Sequence, residues 1–261
     1  TVSVFTAMDM EQSNTATSGG LNSSAQMTIG MGSLGTVQFN DVSGSAANAI
    51  DDILPKAYEE TWDGTSHSSS FHSFGSSTQS GSVDYRLPAL SFGDMSLSLT
   101  ATYDPNAGSG PAGAGGVAGN DHSGVAYTAK IDSGMGLAVG GGIEEVTTAS
   151  TATGASDLTR ATGYVTYSNG PLSIGYQEMF QNSENLGDST TQAPDVEGDG
   201  IGVAFSQDNM PFSYAEVTEE VKDIAAVTSL ETEMTALQAT YTMGAMTLGA
   251  SMYETDNPEG T

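Results

Sequence analysis

The sequence contains no cysteine, so disulfide staples and thiolate metal sites are both excluded. Positive charge is scarce: five Lys and Arg stand against 32 Asp and Glu, for a net charge of −27. Such a surface repels a polyanion, which excludes nucleic acid as a partner. Charged residues of both signs make up only 14% of the 261, too few for a charge-laced helical bundle. No run of about 18 apolar residues occurs, so no helix spans a membrane. A membrane barrel stays open, because its strands are apolar on one face only.

What the chain does have is alternation. Met95, Leu97, Leu99, Ala101 and Tyr103 alternate with Ser96, Ser98, Thr100 and Thr102, which sets an apolar row on one face of a strand. Val125, Tyr127, Ala129 and Ile131 do the same against Ala126, Thr128 and Lys130, as do Met246, Leu248, Ala250 and Met252 against Thr247, Gly249 and Ser251. About thirteen such segments follow one another. They lie at 2–10, 24–31, 36–40, 82–90, 95–103, 123–132, 135–144, 159–167, 172–180, 200–206, 212–217, 235–242 and 246–253.

The connections alternate as well. Short turns rich in Gly, Asn, Asp or Pro at 32–35, 92–94, 132–134, 169–171, 207–211 and 243–245 are interleaved with long polar segments at 11–22, 41–81, 104–121, 146–157, 181–199 and 219–233. This rhythm belongs to an all-β, antiparallel up-and-down transmembrane barrel, with tight turns at one rim and long loops at the other. Closing the sheet removes the unpaired edges that lipid cannot tolerate. Within the longest loop, Ala46, Ala47, Ala49, Ile50, Ile53 and Leu54 recur at helical spacing, so a short helix is expected at 45–54 in a loop packed inside the barrel.

Motifs for chemistry do not hold up. The stretch 108–113 matches GxGxxG, but Pro111 and Gly115-Gly116 continue a loop where a helix should begin. Asp195, Glu197, Asp199 and Gly200 imitate the start of a calcium loop, yet Ser206 stands where the closing Glu belongs. His67 and His72 lack a third ligand at a recognisable spacing. The residues therefore point to no enzyme, no metal and no cofactor.

Five stretches share an order and spacing with one family: Gly30 to Asn40; Ala49 to Pro55 followed by Ala57 to Glu60; Val83 to Arg86 followed by Leu97 to Tyr103; Gly170 to Gln177; and Ala239 to Gly244. Together they resemble the general porins of Gram-negative outer membranes, in particular the marine alphaproteobacterial branch. The resemblance implies a 16-stranded barrel, a homotrimer in outer-membrane lipid, and passive diffusion of ions and small hydrophilic solutes. It also implies that 41–81 is the loop that folds inward and narrows the pore. On that alignment the chain is an incomplete barrel of about thirteen strands, lacking two strands at the start and one at the end. The alternative is an acidic, secreted, β-rich surface or adhesion protein without channel activity.

The resemblance places Asp51, Asp52, Lys56, Glu59, Glu60 and Asp63 at the pore constriction, with Lys56 where many relatives carry an acid. Arg86, Lys130 and Arg160 lie on the polar parity of their strands, opposite Val83 and Tyr85, Tyr127 and Ala129, and Ala161 and Gly163, and are expected on the pore wall. Five acids against Lys56 and three wall cations leave a count of 5 − 4, one negative charge, and hence mild cation selectivity. Tyr103, Tyr127, Tyr167, Tyr176, Phe205, Tyr214 and Tyr241 suit interfacial girdles.

Overall fold

The computed structural model describes residues 1–8, 22–41, 44–61, 71, 73–78, 81–107, 122–148, 156–185, 195–223 and 228–256. The strands are β1 (Val2–Met8), β2 (Asn22–Gly30), β3 (Thr36–Asp41), β4 (Val83–Arg86), β5 (Leu90–Phe92), β6 (Met95–Asp104), β7 (His122–Asp132), β8 (Leu137–Thr148), β9 (Ser156–Asn169), β10 (Leu172–Asn185), β11 (Asp195–Gln207), β12 (Met210–Asp223), β13 (Thr228–Met243) and β14 (Met246–Asp256). They form one antiparallel sheet in sequence order, with β5 attached beside β6 as a continuation of β4 beyond Pro88. Among the described residues, no ladder joins β1 to β14.

The tight turns follow from local chemistry. Gly170-Pro171 and Gly244-Ala245 each join two strands through two residues, and both glycines have positive φ (57° and 63°). A leading residue at positive φ gives a turn whose twist matches that of the flanking strands.

The sheet is inverted relative to a soluble domain. Its large apolar side chains, such as Val139, Ile143, Val165, Ile174, Ile201, Phe212, Leu237 and Leu248, are exposed on the convex face. On the same face of β10 and β12, the hydroxyls of Tyr176 and Tyr214 donate to Glu178 (2.7 Å) and Glu216 (2.9 Å), and exposed Phe180 lies beyond Glu178 on β10. The opposite parity carries small and polar residues: Ala126, Gln177, Ala204, Ser213, Ala215 and Gln238 are all buried on the concave side.

The main apolar core lies between that concave face and the loop that follows β3. Ala47, Leu54, Phe71 and Phe74 of the loop pack on Ala126, Met179, Val217 and Met234 of the wall. Inward-facing glycines hollow out the seat. A Cβ added to Gly175 would stand 2.6 Å from Pro55, one at Gly200 2.8 Å from Leu54, and one at Gly142 2.6 Å from Phe74.

Two sequence expectations need correction. The helix at 45–54 is a single 3-10 turn, Asn48–Ile50. Side chains take the backbone groups that a helix would use: Asp52 Oδ1 accepts the Leu54 N–H (3.0 Å), and Gln177 Nε2 donates to the Ile50 carbonyl (3.0 Å). Pro55 then disfavours helical backbone at the residue before it. The long segments at 181–199 and 219–233 are largely strand, since β10 runs to Asn185, β12 to Asp223 and β13 starts at Thr228.

Candidate constriction site

The loop crosses the concave face in two limbs, and the wall supplies a polar partner at nearly every step. At its start, the Gly44 carbonyl accepts from Gln26 (3.3 Å) and Gln38 (3.2 Å), and the Ala46 N–H donates to Asp84 (2.9 Å). Midway, the Gln177 amide accepts the Ile53 N–H (2.9 Å) and donates to the carbonyls of Ile50 and Asp51 (3.0 and 3.2 Å). Farther on, Ser213 accepts the Ala57 N–H (2.9 Å). Gln238 accepts the N–H groups of Tyr58 and Glu59 (both 3.1 Å) and donates to the Glu59 carbonyl (2.7 Å). This outgoing limb, 44–61, thus runs from β2 and β3 across to β13.

The return limb, 71 and 73–78, is held by charge. Glu219 accepts the Phe71 N–H (3.0 Å), and Glu144 accepts the Gly75 N–H and the Thr78 hydroxyl (both 3.0 Å). Arg160 donates to Ser77 (2.9 Å) and pairs with Glu144 (3.0 Å), with both side chains fully buried. A buried pair keeps its charges only if the remaining donors and acceptors are satisfied, and here the loop backbone and hydroxyls satisfy most of them.

The residues singled out in the sequence separate into exposed and withdrawn groups. Asp51 is half-buried, accepts from Asn48 Nδ2 (2.9 Å) and the Asp52 N–H (2.8 Å), and has its carboxyl pushed up to about 7, chiefly by burial. Asp52 turns inward, its side chain 2% exposed, and burial raises its carboxyl despite the Lys56 contact. The Lys56 ammonium lies 2.7 Å from Asp52 and 2.9 Å from Glu60. Burial lowers its affinity for a proton, but those two carboxylates outweigh burial and raise it. Glu59 is exposed on a backbone fixed by Gln238. Asp63 lies outside the described residues.

On the wall, Arg86 sits 3.2 Å from Asp84 and Lys130 3.9 Å from Asp132, both with their heads partly exposed. Arg160 differs from the expectation for a pore-wall cation: the return limb covers it, so it bridges wall to loop and faces no solute. Asp195, Glu197 and Asp199 alternate along β11 and so share one face of an extended strand, a geometry that cannot wrap a cation. The sequence reading missed Gln177, Gln238, Ser213, Glu144 and Glu219. Each is polar on the inward parity of its strand, and that parity was the signal available.

No protein-family model matches the sequence, and the search of curated proteins finds no match. Solved structures do match. A refined porin structure aligns with a TM-score of 0.59 at 13% identity, covering 92% of this chain and 77% of that one. The wall and its inward loop have the fold of an outer-membrane porin barrel. A loop L8 deletion mutant of OmpT, an outer membrane protein of Vibrio cholerae, aligns with a TM-score of 0.59 at 14% identity, over 90% of this chain and 74% of its own. The trimer form of in-vitro folded OmpT aligns over 98% of this chain and 88% of its own, with a TM-score of 0.52 and 12% identity. Likeness at these identities carries the fold; the chemistry of this chain rests on its own residues.

Proposed function

We propose that the chain forms the wall and constriction of a porin-type channel in the outer membrane of a Gram-negative bacterium. The channel passes ions and small hydrophilic solutes by passive diffusion, needs no cofactor or energy source, and assembles as a homotrimer. The observation that carries this reading is the loop seated across the concave face on Gln177, Ser213 and Gln238, with Glu59, Lys56 and part of Asp51 left open to the lumen. A secreted adhesion protein would leave the apolar convex band in water, at a cost of roughly 25 cal/mol per Å²; lipid removes that cost. In the membrane, the reading requires both edges of the sheet, β1 and β14, to be paired.

Selectivity follows from the charges that face the lumen. The described outgoing limb holds Asp51, Asp52, Glu59 and Glu60 against Lys56, 4 − 1, or three negative charges when all are ionised. Arg86 and Lys130 each sit beside an aspartate, so they offset little of that count. Mild cation selectivity results, with 0.15 M salt screening charges beyond about 8 Å. Reconstitution of the chain into planar lipid bilayers tests the reading. Stepwise, ohmic conductance with a reversal potential of the cation-selective sign supports it; membranes that stay silent, with vesicles impermeable to small sugars, overturn it.

A further inference from the structure

We propose that Lys56 sets the selectivity of the constriction by acting as an internal counter-ion, clamped between Asp52 and Glu60. The inference rests on the channel reading and deepens it. Lys56 lies four residues from each partner, and its ammonium contacts both carboxylates at 2.7 and 2.9 Å. The two partners are not equivalent. Asp52 is withdrawn beneath the limb, 2% exposed, with one oxygen on the Leu54 N–H and the other on Lys56. Glu60 and Lys56 are each a little over one-third exposed. Asp52 therefore fixes the ammonium from below, and Lys56 holds Glu60 as a close pair at the lumen surface.

The consequence concerns which charges a passing ion meets. Lys56 cancels one of the two acid charges it contacts, which leaves the triad with one net negative charge beside the fully presented Glu59, and Asp51 adds part of another. A raw count of loop acids overstates the field; the clamp predicts that selectivity stays mild in a chain so acidic. It also makes Lys56 the residue whose loss changes selectivity most, because removing it takes the counter-charge away from Asp52 and Glu60 at the same point.

The test is the reversal potential of the reconstituted full chain in a tenfold potassium chloride gradient, with the conductance step read in parallel. Lys56→Gln is expected to raise the cation-to-anion permeability ratio about threefold or more, since one unit charge a few ångströms from the ion path is unmasked. Lys56→Arg, which keeps the charge, is expected to retain the original ratio. If Lys56→Gln changes the conductance step but leaves the ratio unchanged, Lys56 is a loop staple only and the proposal is wrong. A second readout does not depend on channel activity: acylation of Lys56 by a water-soluble amine reagent, followed by mass spectrometry. The clamp predicts that Lys56 reacts several-fold more slowly than Lys130, and that Asp52→Asn with Glu60→Gln removes the difference. Equal rates in the unmodified chain overturn the clamp even where no current flows. Silent bilayers with a slow Lys56 defeat the channel reading and leave the clamp standing as local structure.

Discussion

The two limbs of the inward loop are held by opposite means. Past its start, where Asp84 accepts the Ala46 N–H, the outgoing limb rests on neutral amides and a hydroxyl, Gln177, Gln238 and Ser213, and presents Lys56 and Glu59 while Asp52 stays withdrawn. The return limb is fixed by buried carboxylates, Glu144 and Glu219, with Arg160 as counter-charge. Neutral anchors add no field of their own, so along 53–59 the loop's own charges dominate the local potential. The Glu144–Arg160 pair behind the return limb is balanced and projects little field, while Glu219 adds a buried carboxylate on the Phe71 N–H. One wall thus fixes the loop firmly and leaves its electrostatics to Asp51, Lys56, Glu59 and Glu60.

The comparison breaks most visibly at the buried pair. Arg160→Met leaves Glu144 buried without its counter-charge and is expected to destabilise the fold by about 3–5 kcal/mol. Equilibrium urea unfolding in lipid vesicles measures it, and the double variant Arg160→Met with Glu144→Met should recover part of the loss. Filling the trough comes next. Gly175→Val would drive a side chain into Pro55, and overpacking of this kind costs about 1–3 kcal/mol. The loop should shift, so a changed conductance step is expected, and an unchanged one would show that the trough does not position the outgoing limb. Gln177→Leu removes three hydrogen bonds to the loop backbone. Each buried group left unpaired costs about 1–3 kcal/mol, less where water enters from the lumen. Larger current noise at nearly constant mean selectivity is the expected signature, because this anchor is neutral.

The smallest effect is that of pH. Asp51 titrates at about 7 in the folded chain, against 3.8 in an open one. A raised carboxyl favours the native state when protonated, so its contribution to loop docking is fully present below about 4 and fades as pH rises through about 7. Over the same window the constriction gains one negative charge. The cation-to-anion permeability ratio should therefore rise modestly between pH 6 and 8, and Asp51→Asn should flatten that slope.

Most of the wall was legible because an apolar outer face and a polar inner face give period two, as in Leu97, Leu99 and Ala101 against Ser96, Ser98 and Thr100. Legibility failed where the apolar face changes sides and acids break it. Past Tyr214 on β12 the apolar side switches parity, Ala215, Val217 and Val221 facing inward against Glu216, Thr218, Glu220 and Lys222, with Glu219 breaking the inward row, although the ladder to β13 continues to Asp223. The 45–54 pattern misled for another reason: its apolar residues face a core built from distant strands, and Gln177, more than a hundred residues away, captures the backbone groups that would close a helix. Charge at Asp51, Asp52, Lys56, Glu59 and Glu60 could be read from sequence. Which of them face water could not, because that depends on the glycine trough and the amide anchors.

The central claim is that the outgoing limb lines the path of the current, and the absence of native cysteine makes a clean probe of it possible. Glu59→Cys, on a single-cysteine background, can be treated with a charged, membrane-impermeant thiol reagent while current is recorded from one channel. The account predicts a stepwise fall in conductance on reaction, together with a shift in reversal potential toward anions when the reagent is cationic. Complete modification, verified by mass, with conductance and reversal potential both unchanged would place the limb away from the ion path and contradict the account.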